Sequence, residues 1–85
     1  MQISAQISLY PLKQPSLSPA IEEAWKILKE STLDLEKGAM SSTVKGEAEE
    51  VFQAIQKVFL KSAELGPVSM VVTYSNACPI QVFKV

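Results

Sequence analysis

The residues that most constrain this chain are its first ones. From Gln2 to Tyr10, apolar and polar side chains alternate without a break. Ile3, Ala5, Ile7 and Leu9 fall on one side; Gln2, Ser4, Gln6, Ser8 and Tyr10 fall on the other. A period of two is the signature of a strand with one face buried and one face polar. Such a strand belongs in an antiparallel sheet covered on a single side. Pro11 withholds a donor and ends its ladder on one side.

The rest of the chain supplies the cover. Ser18-Pro19 reads as a helix start, with Ser as N-cap and Pro at the first helical position. Ile21, Ala24, Trp25 and Leu28 then recur at helical spacing as one inward stripe, with Glu22 and Glu23 near the positive end of the helix dipole. This helix is expected to fade at Ser31-Thr32. Leu33 and Leu35 alternate against Asp34 and Glu36, Gly38-Ala39-Met40-Ser41 reads as a turn or bulge, and Ser42 to Gly46 follows as a strand. Together they predict a β-hairpin.

Glu47 opens the strongest helix, in which Ala48, Val51, Phe52, Ile55, Val58, Phe59 and Ser62 share one stripe. Glu47, Glu49 and Glu50 load its first turn, and Lys57 and Lys61 lie toward its end. Gly66-Pro67 is a helix stop. Val68 to Tyr74 is a further strand, broken at Ser75-Asn76-Ala77-Cys78-Pro79, and Ile80 to Val85 is an optional fifth strand.

The order predicts one domain over residues 1–85. It is an α+β, ferredoxin-like βαββαβ sandwich: an antiparallel sheet with two helices on one face and an optional C-terminal strand. Ile3, Ala5, Ile7, Leu9, Met70 and Val72 are expected on the helix side. Gln6, Ser8 and Thr73, with Val71, are expected on a face left open unless a partner covers it.

Composition narrows the function. The 85 residues hold 8 Lys+Arg and 9 Asp+Glu, no His and one Cys, and 47% are hydrophobic. That excludes a disordered chain, an internal disulfide, Ser-His-Asp and Cys-His catalysis, and a zinc site of ordinary composition. A net charge of −1 provides no field for nucleic acid. No apolar run reaches the roughly 20 residues that span a bilayer, and Met1-Gln2-Ile3-Ser4-Ala5 has no basic region ahead of an apolar stretch. The expectation is a cytoplasmic protein. A domain of this size has a thin core, so self-association is an expected route to further burial.

Few constellations could carry chemistry. The acids Glu22-Glu23 and Glu47, Glu49, Glu50 sit in first turns of helices, where solvated carboxylates complement the dipole. Cys78 has no basic neighbour to activate its thiol. Gly38, Gly46 and Gly66 do not form a phosphate loop. Trp25, Phe52 and Phe59 read as core packing, although Trp25 could also wall a pocket. The hydroxyl run Ser41-Ser42-Thr43, placed near Tyr10, reads either as a solvated turn or as a site for a neutral or weakly charged heterocycle.

Several stretches together resemble the small thiamine-binding protein family, the YkoF-like group of ferredoxin-like domains. They are Ile3 to Leu12 with its Pro exit, Leu28-Lys29-Glu30-Ser31 leading into the hairpin, Met40-Ser41-Ser42-Thr43-Val44-Lys45-Gly46-Glu47, and the helix from Val51 to Phe59. The Thr43…Gly46-Glu47 segment is the most specific. Two departures stand out: Thr32 where many members have Gly, and the continuation through Cys78-Pro79 into Ile80-Val85.

The resemblance implies binding without catalysis, and no cofactor or metal is expected. The implied ligand is thiamine or its hydroxymethylpyrimidine moiety, and the implied assembly is a homo-oligomer, dimer or tetramer. It implies Thr43 as a ligand-contacting hydroxyl, with Ser41 and Ser42 hydrogen-bonding pyrimidine nitrogens and Tyr10 stacking or closing the pocket edge. Gln6 and Ser8 would meet either a ligand or a second subunit. Glu47 is near in sequence, its direction open. The alternatives are a structural or regulatory oligomerisation module without a ligand, and an enzyme, for which no base is placed by spacing.

Overall fold

The alternating segment forms β1, Gln2–Pro11, in the computed structural model, which describes residues 1–13, 18–38 and 41–77. Pro15, Ala39-Met40, Cys78 and the optional strand Ile80–Val85 lie outside the described residues. β1 is followed by α1 (Ser18–Glu30), β2 (Asp34–Lys37), β3 (Ser42–Glu47), α2 (Ala48–Glu64) and β4 (Val68–Ser75). The sheet order is β2-β3-β1-β4, antiparallel throughout. This is the ferredoxin-like βαββαβ arrangement. β1 runs to Pro11, which pairs with Val68, and the Leu12 N–H donates to the Pro67 carbonyl at 2.8 Å. Proline therefore sits where its missing donor costs least, at the strand's last residue.

The register carries the alternation across the whole sheet. Val72, Ile7, Ser42 and Lys37 form one cross-strand row, and Thr73, Gln6, Thr43 and Glu36 form the next. Adjacent rows point to opposite faces. Ile3, Ala5, Ile7 and Val44 are buried beneath the helices, with Leu9, Met70 and Val72 packed at the margin. Gln6 and Thr73 are exposed on the other face, and so is Val71, at 56%. Gly46 keeps that core closed: a Cβ there would run into the Leu33 side chain, which is itself buried.

The two helices sit differently. α2 rests on β1, β3 and β4 and buries Val51, Ala54, Ile55, Val58 and Ser62. α1 packs chiefly on α2. This rotates α1's inward stripe by one position from the sequence expectation. Ala20, Ala24, Ile27 and Leu28 are buried, while Ile21 is 38% exposed and Trp25 is half-buried.

The expected burial of Phe52 and Phe59 is also corrected: they are 49% and 38% exposed. α2 turns Val51, Ala54, Ile55, Val58 and Ser62 to the core and leaves these two rings outside it. Phe52 instead meets the Tyr74 ring of β4 edge-on, with centroids 4.9 Å apart.

Helix ends follow local chemistry. Glu49 and Glu50 lie in the first turn of α2, but the first turn of α1 holds no acid, so Glu22 and Glu23 sit beyond it. α1 is closed by Ser31, whose hydroxyl donates to the Leu28 carbonyl at 2.6 Å and accepts from the Leu33 N–H at 3.3 Å. α2 ends at Glu64, and Gly66 just beyond it has a φ of 146° that suits glycine.

Candidate functional site

Because α1 leans on α2 and presents the small side chain of Ala24 at its middle, a gap remains between α1 and the sheet. It is a cavity of about 150 Å³. Ile7 and Leu9 of β1, Ile21, Ala24, Trp25 and Leu28 of α1, and Val58 of α2 form its apolar wall. Lys37, Gly38, Ser41 and Ser42 of the hairpin form its polar rim. An apolar cavity of about this size accepts a single six-membered ring. The rim is held in shape by the Gly38 N–H, which donates to the Ser41 carbonyl at 2.7 Å. The ammonium of Lys37 lies 4.8 Å from the centroid of the Trp25 ring, a cation–π contact at the mouth. Beyond Trp25 and Lys37 the cavity adjoins a shallower groove of about 920 Å³ along α1 and β2.

The sequence-derived site residues divide between the two faces of the sheet. Ser41 and Ser42 line the cavity. Thr43, next to Ser42 in β3, points to the opposite face, beside Gln6 and Glu36. Gln6 links the two groups, because its side-chain amide donates to the Ser41 hydroxyl at 3.1 Å. Ser8 pairs with Val71 and Tyr10 with Ser69, one and two rows further along the open face. Tyr10 is 48% exposed there, so it does not close an edge of this cavity.

Glu47 has a direction too. Its carboxylate accepts from the Gln2 amide at 2.6 Å and from the Met1 amino group at 3.1 Å, at the far end of β3 from Ser42. These two donors hold its pKa below the ordinary carboxylate value. It is a structural tie rather than a cavity residue.

The sequence marks only Trp25, Ser41 and Ser42 as cavity residues; Ile7, Leu9, Ile21, Ala24, Leu28 and Val58 read as core, and Lys37 and Gly38 as parts of the hairpin. Lys37 did carry a signal. It shares the inward phase of Leu33 and Leu35, where alternation calls for an apolar side chain. Among the described residues no cluster of His, Cys, Asp or Glu could hold a metal ion, and no helix is long and apolar enough to cross a membrane.

Comparison with known proteins places this geometry in a family. The family model described as the YKOF-related Family matches residues 2–81. No curated protein matches the chain. Solved structures do. A protein of Streptococcus pneumoniae superposes with a TM-score of 0.86 at 15% identity, covering 98% of this chain and 97% of that one. A hypothetical protein of Methanocaldococcus jannascii gives 0.82 at 21% identity, covering 92% and 82%. A candidate thiamine biosynthesis/salvage protein of Thermotoga maritima gives 0.79 at 14% identity, covering 99% and 100%. At these identities the structures speak for the fold.

Proposed function

The chain belongs to the YKOF-related family, and from that premise we propose that it binds thiamine or its hydroxymethylpyrimidine moiety without transforming it. The observation that carries this reading is the cavity under α1, which pairs an apolar wall containing Trp25 with the hydroxyl-bearing rim of Ser41 and Ser42. Ligand sites are typically apolar clefts with a few placed polar groups. The volume suits the pyrimidine ring better than the whole of thiamine, so the ring is the anchored part. The thiamine-related relative from Thermotoga maritima, matched over its full length, supports the same ligand class. The reading assigns holding rather than catalysis, in the cytoplasm.

Titration calorimetry with thiamine and with hydroxymethylpyrimidine tests it. Heat of binding and quenching of Trp25 fluorescence are expected for at least one of them. Neither signal at millimolar ligand sinks the reading.

A second reading, a homo-oligomer (dimer or tetramer) with or without ligand, is favoured by the open sheet face. Val71 and Tyr10 are exposed there at 56% and 48%. Light scattering on the purified protein and on Val71→Lys tests it. A monomeric mass for the unsubstituted protein rejects it.

A further inference from the structure

A lysine in the inward phase of a strand calls for an explanation. Lys37 stands in the row of Ile7 and Ser42, on the helix-covered face, and its ammonium sits over the Trp25 ring at the mouth of the cavity. It is the only charged side chain among the described residues lining that cavity. The nearest strand acids do not offset it. Asp34 and Glu36 fall in the opposite phase of β2, on the open face. In the adjoining groove, Lys26, Lys29 and Lys37 outnumber Glu22 and Glu30. Among the residues lining the groove, lysines thus exceed acids by one.

We propose that Lys37 makes this site selective for an anionic pyrimidine, one whose exocyclic hydroxymethyl arm carries a phosphate, over the cationic thiazolium-bearing thiamine. The proposal rests on the ring-binding reading above and names its preferred ligand. A cavity of about 150 Å³ is filled by the ring, so the arm must leave through the mouth, past Lys37 and into the groove. A phosphate on that arm gains a charge-assisted hydrogen bond from the ammonium. A thiazolium on the same arm meets a like charge beside an apolar wall, where screening by water is weaker than in bulk. Trp25 alone would welcome a cation, but the Lys37 ammonium already occupies the approach to its face.

The test is calorimetry with four probes: hydroxymethylpyrimidine, its phosphate monoester, thiamine and inorganic phosphate. Each is titrated into the unsubstituted protein and into Lys37→Gln. Lys37 is exposed, so the substitution leaves the core intact. The monoester is expected to bind about tenfold more tightly than the alcohol, and thiamine more weakly than both. Lys37→Gln should bring alcohol and ester within about twofold of each other, and raised salt should shrink the preference in the unsubstituted protein.

Equal affinity for alcohol and ester overturns the proposal while leaving ring binding intact. So does a preference that survives Lys37→Gln. Displacement of the ester by inorganic phosphate alone at equal concentration also overturns it, since the site would then read the anion and not the ring. Failure of every pyrimidine to bind removes the ring-binding reading itself.

Discussion

α1 and α2 are both amphipathic, yet they do different work. α2 lies on three strands and supplies Val51 and Val58, both fully buried. α1 leans on α2, turns Ala20 and Ala24 inward, and leaves Ile21 and Trp25 at the edge of a cavity. One helix is seated on the sheet and the other is propped above it. The lesson is that a small core is not uniformly filled: both helices bury side chains in it, but the helix that stands off the sheet also leaves a cavity beside it.

The comparison can be broken most decisively through core truncation. Ile55→Ala on α2 removes a side chain that is 4% exposed and is expected to cost about 2–5 kcal/mol in denaturant unfolding. Ile21→Ala on α1, at 38% exposure, should cost less than about 1 kcal/mol. Equal costs would mean that α1 is seated as firmly as α2.

Filling the gap is the next test. Ala24→Leu pushes a larger apolar group into the cavity, so pyrimidine binding should weaken by more than about tenfold while unfolding free energy changes by less than about 1.5 kcal/mol. Undiminished binding by calorimetry would place the ligand elsewhere.

Smaller effects sharpen the same contrast at the helix ends. Ser31→Ala removes the hydroxyl that closes α1 and should cost about 1 kcal/mol by thermal unfolding. Glu47→Gln, at the start of α2, should have the smallest effect, because the carboxylate is exposed. Its folded pKa lies below 4.5, so the charged form stabilises the fold above the unfolded value, and that contribution disappears as pH falls through the folded value. The difference in Tm between Glu47→Gln and the unsubstituted protein should thus be largest near neutrality and vanish in acid. A difference that grows in acid would contradict the ties to Gln2 and Met1.

How far this was legible in the sequence depends on the period involved. Ile3, Ala5, Ile7 and Leu9 announce a buried strand face because a period of two leaves no freedom of phase. The order of elements and the polarity of the open face follow from the same pattern. The helices are harder to read. Both Ala20-Ala24-Ile27-Leu28 and Ile21-Ala24-Trp25-Leu28 are acceptable stripes, and which one turns inward depends on whether α1 meets the sheet or α2. That is a tertiary choice.

The site was half legible for the same reason. Ser42 and Thr43 read as one hydroxyl run, but neighbours in a strand face opposite ways, so only one of them can reach a cavity under α1. Lys37 was visible as an apolar position occupied by a charge, but its relation to Trp25 required the third dimension.

The sheet order has a consequence for how the molecule comes into being. β1 is the first strand in the chain and lies between β3 and β4, and its pairing with β4 joins Pro11 to Val68 and Ser4 to Ser75. During synthesis β1 therefore waits, with one edge unsatisfied, until β4 has left the ribosome. Contacts so distant along the chain slow the folding step, and the waiting strand is a template for the wrong neighbour. Its polar alternate residues, Gln2, Ser4, Gln6 and Ser8, make it a poorer seed for aggregation than an unbroken apolar segment would be. The pattern that gives the sheet its open face also protects the nascent chain while it is incomplete.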